Sequence, residues 1–214
     1  MSSKIRKIHT STQEELLKDL QEYRDKAIAL GAIDAKVITT DQIIIDDRVR
    51  MKCLNPTCRG YGTNLHCPPY MPDLDHMRRL VKQYKYALFI MLRVPSSEVA
   101  GPHVREKRTS RASGMKIDEI VSKIESVAFY DGHHLAIGFA AGCKGLWCPD
   151  QECAAIKPGG SCRNPLRSRA GMDAAGMDAY TMASKVGWDI YPIGEGAKTE
   201  DVPHGTRLGL VLIG

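Results

Sequence analysis

Apolar residues along this chain recur either at helical spacing or in short, nearly unbroken runs, and their alternation predicts a chain of mixed helices and strands. Leu16, Leu20, Tyr23, Ala27 and Leu30 fall on one face of a helix, because side chains three or four residues apart point the same way. Thr12 and Glu15 make a T-x-x-E capping box before that stripe and Gly31 a stop behind it. A second stripe, Leu74, Met77, Leu80, Val81 and Tyr84, follows Asp73 as N-cap. A third covers about 115–130 through Ile117, Ile120, Val121, Ile124 and Val127, and Asp131–Gly132 ends it. A fourth helix is expected near 172–186, ahead of Gly187.

Tyr86–Val94 reads as a strand buried on both faces, since hardly a polar residue interrupts it. His134–Ala141 alternates Leu135, Ile137 and Phe139 with Ala136, Gly138 and Ala140; the small side would let a loop or cofactor approach closely. Shorter strands are expected at Val37–Ile38, Ile43–Ile45, Arg48–Lys52, Trp188–Ile193 and Arg207–Ile213, with turns at Thr40–Asp41 and Asp46–Asp47. Residues 95–113 are polar and irregular and read as a linker or mobile loop. The fold class expected is α/β in the α+β sense: a mixed sheet covered by helices, with two cysteine-rich loops between strand and helix. Each half runs strand, cysteine loop, helix, strand, which suggests an internal duplication with pseudo-repeats 37–94 and 115–193 inside one domain, 1–214.

Those loops hold all seven cysteines. Cys53, Cys58 and Cys67 stand in CLNPTCRGYGTNLHCPP, and Cys148, Cys153 and Cys162 in CPDQECAAIKPGGSCRNP. Both trios read C-x4-C-x8-C with proline close behind, and Cys143 lies one further x4 step upstream of the second. Thiols confined to two loops are distributed as soft-metal ligands are. A chain of 214 residues buries enough surface to need no covalent staples, and an odd number of cysteines argues against a disulfide framework. The opening MSSKIRKIHTSTQEELL lacks the apolar stretch of a secretory signal. The runs YALFIML and LGLVLI fall far short of the roughly 20 residues of a membrane helix. A cytoplasmic protein with no membrane partner is expected, in a compartment where disulfides are rare.

The net charge of +5 is modest, and its placement matters more. Arg59, Lys144, Lys157, Arg163, Arg167 and Arg169 lie within or beside the cysteine loops, where cations would favour thiolates and offset a negative metal–sulfur group. The REKRTSR stretch, with Arg105, Lys107, Arg108 and Arg111, has no interleaved aromatic residues in a chain only 6% aromatic, so nucleic acid is disfavoured as a partner. No dinucleotide fingerprint or Ser/His/Asp arrangement is present, and PGG at 158–160 is a turn rather than a phosphate loop. Whether the chain is an enzyme is left open by these patterns.

Two kinds of metal suit the thiols. Structural zinc favours C-x(2–4)-C pairs. Cys143, Cys148, Cys153 and Cys162 could make a four-thiolate zinc site, whereas the first trio would need His66 as a fourth ligand. An iron–sulfur cubane spreads its irons apart and takes ligands from wider loops, and the x4 interval occurs in plant-type ferredoxin loops. Gly60, Tyr61 and Gly62 in one loop and Gly159 and Gly160 in the other offer backbone amides to cluster sulfurs. Pro68, Pro69 and Pro165 would stiffen the exits. The expectation is one or two iron–sulfur clusters of the 4Fe–4S type, with zinc as the alternative. The second loop has a complete set of four thiols. The first has three, which would leave one iron open to substrate or bound by a non-cysteine ligand, or Cys143 would cross over to complete it.

The run C-x4-C-x2-YG-x-NL-x-CPP, Cys53 to Pro69, resembles the bacterial and archaeal family of predicted metal-binding proteins. So does C-x4-C-x8-C-R-x-P, continuing through Arg169, Met172, Asp173, Ala174, Gly176 and Asp178 to Val186–Gly187–Trp188. It departs at Ala170–Gly171, where proline and serine would be expected. The resemblance implies metal binding through the cysteines and implies no activity. Among other features, Tyr61 and Asn64 are candidates for packing the first loop or supporting its ligands, and His133–His134 reads as an ordinary loop-edge pair. Three functions follow: an iron–sulfur protein with a redox or electron-transfer role and a redox partner protein; an enzyme with an open iron at Cys53/Cys58/Cys67; or a zinc-stabilised module for protein or nucleic-acid contacts.

Overall fold

The structure is a computed structural model that describes residues 5–8, 11–104, 108–194 and 196–214. Its centre is one five-stranded sheet. The strands are β1 (Asp34–Thr39), β2 (Tyr86–Val94), β3 (Ile137–Ala140), β4 (Ala170–Gly171) and β5 (Gly205–Ile213), in the order β1-β2-β5-β3-β4. Every pair is antiparallel except β3 with β4, where Phe139 lies opposite Ala170 in a parallel ladder. The mixed sheet with helices is therefore present. Six α-helices accompany it among the described residues: α1 (Gln13–Ala29), α2 (Asp47–Met51), α3 (Leu74–Val81), α4 (Arg111–Tyr130), α5 (Lys144–Trp147) and α6 (Ala179–Lys185). No helix among the described residues is long and apolar enough to cross a membrane.

The period-2 geometry of a strand explains why β2 and β5 are almost wholly apolar. Leu88 and Ile90 of β2, with Val211 and Ile213 of β5, face a core shared with Leu20 and Tyr23 of α1 and Ile117, Val121 and Ile124 of α4. Their neighbours Ala87, Phe89, Met91, Leu210 and Leu212 face the opposite core with Met77 of α3, Met177, Met182 and Trp188. Capping signals act as read: Thr12 Oγ1 accepts from the Glu15 amide at 3.2 Å while Glu15 Oε2 accepts from the Thr12 amide at 2.8 Å. Asp73 caps α3 through the His76 amide at 2.7 Å.

Several expectations are corrected. Arg48–Lys52 is helical, not a strand: Asp46 Oδ1 accepts the Arg48 amide at 2.8 Å and starts α2, and five residues are too few for periodicity to distinguish the two. The chain thus enters Cys53 from a helix. Ile43–Ile45 makes only an isolated bridge, Ile45 to Met177. Trp188–Ile193 joins no ladder; Trp188 is buried because its ring packs 4.8 Å from that of Phe89 and its indole donates to Asp34 Oδ2 at 2.8 Å. The helix expected over 172–186 is confined to α6, since Met172, Ala175 and Met177 are buried by turns. Arg105 and Lys107 of the basic stretch lie outside the described residues. The rest of that stretch is tied down: Arg108 pairs with Asp150 at 2.8 Å, and Arg111 Nε donates to the Leu146 carbonyl at 3.0 Å.

The small face of β3 admits a helix rather than a loop or cofactor. A Cβ on Gly138 would lie 2.5 Å from Val121 Cγ1, so glycine is what lets α4 lie this close to the sheet. The Gly138 amide donates to Glu125 on the same helix.

Candidate metal centres

Both cysteine loops leave the same end of the fold and meet there. All seven cysteines carry free thiols. In the first loop, the chain turns out of α2 so that Cys53 is buried and Cys58 exposed. A Cβ on Gly60 would stand 3.0 Å from Cys67 Sγ and 3.8 Å from Cys58 Sγ. Glycine there lets the backbone lie close to Cys67 Sγ without pushing that sulfur aside. The Gly60 amide points at Cys58 Sγ at 3.4 Å. The amides of Tyr61 and Gly62 donate to the carbonyls of Cys58 and Pro68, and that of Gly160 to Lys157, so these three support turns rather than sulfur.

In the second loop, Cys143, Cys148, Cys153 and Cys162 line one cavity together with Asn64, Trp147 and Ser168. The Asn164 amide donates to Cys162 Sγ at 3.3 Å and its side chain to Cys148 Sγ at 3.5 Å. Ser168 Oγ lies 3.4 Å from Cys162 Sγ. N–H and O–H groups aimed at sulfur are what orient and stabilise coordinating thiolates. Cys143 opens helix α5 and therefore sits with the second group, yet its thiol donates to Asn64 Oδ1 of the first loop at 3.5 Å.

Asn64 joins the two groups and is 0% exposed. Its Oδ1 accepts from the His66 amide at 3.0 Å as well as from Cys143, and its Nδ2 donates to the Gly60 carbonyl at 3.2 Å. Its side chain also favours the thiolate of Cys67. Sequence reasoning treated Asn64 as a local residue, because its partner Cys143 lies 79 positions away.

Electrostatics describe crowded thiols waiting for positive charge. Burial pushes the Cys143 thiol up to about 12, with Cys153, Cys67, Cys162 and Cys148 adding to the rise. Burial also raises Cys53 and Cys67, with the Asp173 carboxylate adding to both and Arg50 opposing. A bound cation reverses this balance and holds the sulfurs as thiolates. Arg50 and Asp173 were not singled out by the sequence as charges acting on the first trio. The signal was three-dimensional: the helical turn of α2 brings Arg50 toward the sulfurs, and Arg50 Nε is buried without a hydrogen-bond partner.

Five of the six cations expected to serve the sulfurs have other contacts. Arg169 pairs with Glu125 at 2.7 Å, Arg163 donates to the Glu152 carbonyl at 2.8 Å, and Lys144 to the Cys148 carbonyl at 3.2 Å. Lys157 pairs with Glu152, and Arg167 lies over the Trp147 ring. His66 faces a different cavity from the second cysteine group, and its imidazole is held neutral by burial and by Arg169. His133 packs against α1, its Nε2 3.0 Å from Asp19 Oδ2 and its ring edge-on to Tyr23.

The donor set fits a metal–sulfur group. The cavity of the second group is small, about 20 Å³. A metal bonds thiolate sulfur at about 2.3 Å, well inside the roughly 3.5–4.0 Å of van der Waals contact, so a single ion needs little clearance, whereas the eight core atoms of a 4Fe–4S cluster need the sulfurs further apart than this cavity holds them. Among the described residues, no group of three His, Cys, Asp or Glu side chains is arranged to hold a metal ion.

Residues 36–213 match the family described as predicted metal-binding protein (DUF2284). The chain belongs to that family of predicted metal-binding proteins. No curated protein and no solved structure matches the chain. Ala170–Gly171, where the sequence departs from the expected proline and serine, form β4 beside β3, a ladder that proline at 170 would weaken by removing a donor.

Proposed function

We propose that this chain is an iron–sulfur protein that exchanges electrons with a redox partner protein. Cys143, Cys148, Cys153 and Cys162 would hold a 4Fe–4S cluster, and Cys53, Cys58 and Cys67 a second centre. The observation that supports this reading is that Cys143, Cys148, Cys153 and Cys162 line one cavity, with the Asn164 amide donating to Cys162 Sγ and its side chain to Cys148 Sγ. Their x4 and x8 spacings suit a polynuclear core, whose irons lie apart, better than the C-x(2–4)-C pairs of structural zinc. When bound, such clusters supply one-electron redox chemistry. The chain's own part is to hold the sulfurs, to aim the Gly60 and Asn164 amides at them, and to keep Trp147 and Ser168 around the second cavity. Seven free thiols suit a reducing compartment such as the cytoplasm.

A second reading, an enzyme with an open iron at the first group, is favoured by one detail. Cys143 lines the cavity of the second group, which leaves the first with three thiols and Asp173 as the neighbouring carboxylate.

The test is the iron, acid-labile sulfide and zinc content of full-length protein purified without oxygen. Iron and sulfide in equal amounts, with visible absorption that dithionite bleaches, are expected. Zinc without sulfide would overturn the proposal.

A further inference from the structure

β3 pairs with β5 only over residues 210–212, so residues 205–209 of β5 have no strand on that side. A cavity of about 190 Å³ opens at this stretch. Thr206 and Arg207 of β5, Ser110 ahead of α4, Tyr180 of α6, and Tyr191 and Ile193 beyond it line the space. Arg207 is the group that sets it apart. Its Nε donates to Ser113 Oγ at 3.4 Å and its Nη2 to the Ser110 carbonyl at 3.3 Å, both longer than the roughly 2.7–3.2 Å of a good N–H···O bond. Its Nη1 donates to nothing among the described residues, yet it is not sealed inside the protein. Arg207 makes no ion pair either: Glu98, the one carboxylate whose charge reaches it, stands beyond 4.0 Å. Partial burial pulls the guanidinium below its usual pKa. The hydroxyls of Ser110, Tyr180, Tyr191 and Thr206 likewise have no hydrogen-bond partner among the described residues. A partly desolvated cation with an open donor and free hydroxyls around it is completed by an anion.

We propose that this cavity binds a small monocarboxylate with an apolar body, its carboxylate accepting from Arg207 Nη1 and from the hydroxyls beside it. A planar guanidinium matches a carboxylate in shape as well as charge. Glu98 already offsets part of the Arg207 charge and repels a second negative charge, so a carboxylate is favoured over a phosphate dianion. The apolar body rests on Ile190, Ile193 and the rings of Tyr180 and Tyr191. A volume below the roughly 300–1,000 Å³ of drug-sized sites limits that body to about one ring. The site stands independently of the iron–sulfur reading, since no wall residue belongs to either cysteine loop.

The probes are benzoate, its uncharged analogue benzamide, and inorganic phosphate. Calorimetric titration of the anaerobically purified full chain is expected to show one benzoate per chain. Benzoate should bind about 10–100-fold more tightly than benzamide, the value of a hydrogen bond to a charged group, and phosphate more weakly than benzoate. Arg207→Gln should bring benzoate down to the affinity of benzamide and leave benzamide unchanged. Ile193→Trp fills the cavity from its half-buried rim and should weaken benzoate and benzamide alike; it decides the matter should Arg207→Gln fail to fold. No benzoate binding by the wild-type chain, equal affinity for benzoate and benzamide, or tighter binding of phosphate would each overturn the site. So would benzoate affinity that either folded variant leaves unchanged. Iron and sulfide per chain should stay the same in both variants, and their loss alongside benzoate would show a general collapse rather than a carboxylate site.

Discussion

The two cysteine groups share one spacing, C-x4-C-x8-C, yet the fold gives them different surroundings. The first is a turn-rich loop leaving α2, with Cys53 buried, Cys58 exposed and a glycine pressed against two sulfurs. The second wraps its three thiols and Cys143 around a cavity, under Asn164, Ser168 and Trp147. Spacing sets which sulfurs a loop can bring together; it does not set how many ligands each loop commands. Cys143 shows this, since it belongs to the second group by chain position and cavity, and touches the first through Asn64.

The largest effect should come from removing single ligands. Cys148→Ser should abolish one centre and Cys58→Ser the other, each leaving the remaining centre intact by iron and sulfide per chain. If either change empties both groups, the division into two centres is wrong. Asn64→Ala comes next. It removes the side chain common to both groups and should lower metal affinity in each by about 10–100-fold, the usual loss when a supporting partner is deleted. A loss confined to one group would show that the bridge is only packing.

A control away from the loops sharpens the contrast. Leu210 is fully buried in the sheet, and Leu210→Ala should cost about 2–5 kcal/mol in urea unfolding while iron per folded chain stays constant. The last prediction concerns pH. Asp118 of α4 accepts from the Trp147 indole at 2.9 Å and the Ala141 amide at 3.0 Å, two residues that frame the second loop. Burial pushes its carboxyl up to about 7, against the pull of those donors and of Arg169. The folded state therefore favours the neutral acid, and this contribution is full below about 4, the unfolded value. It is lost as pH rises through about 7, on the order of 2–4 kcal/mol at most. Wild-type stability should fall between pH 5 and pH 8, and Asp118→Asn should flatten that slope. An equal slope in the variant would reject the assignment.

Much of the scaffold was legible in the residues. The Thr12–Glu15 box, the Asp73 cap and the apolar run of β2 are local signals, and each appears where it was read. The misread segments are short or depend on distant partners. Arg48–Lys52 alternates like a strand, but a single carboxylate cap turns it into α2. Trp188 looks like the start of a strand because it is apolar, whereas its burial comes from Phe89, far away in sequence. At the site, the seven sulfurs were visible as a pattern, but the groups that act on them were not. Arg50 reaches the thiols through the helical turn of α2, and Asn64 meets Cys143 and Asp173 meets the first trio only because distant segments converge.

By itself the sequence determined the thiol inventory, the two loop spacings, the helix caps and the strands that must be buried on both faces. Each of these depends on residues within a turn or two of one another, where covalent geometry limits the outcomes. Only the tertiary structure decided that the loops meet, that Asn64 lies between them, that Cys143 lines the second cavity, and that His66 faces a separate one. Those outcomes rest on contacts between residues far apart in the chain, such as Cys143 with Asn64, 79 positions away. Long-range pairing of that kind leaves no periodic trace in the chain.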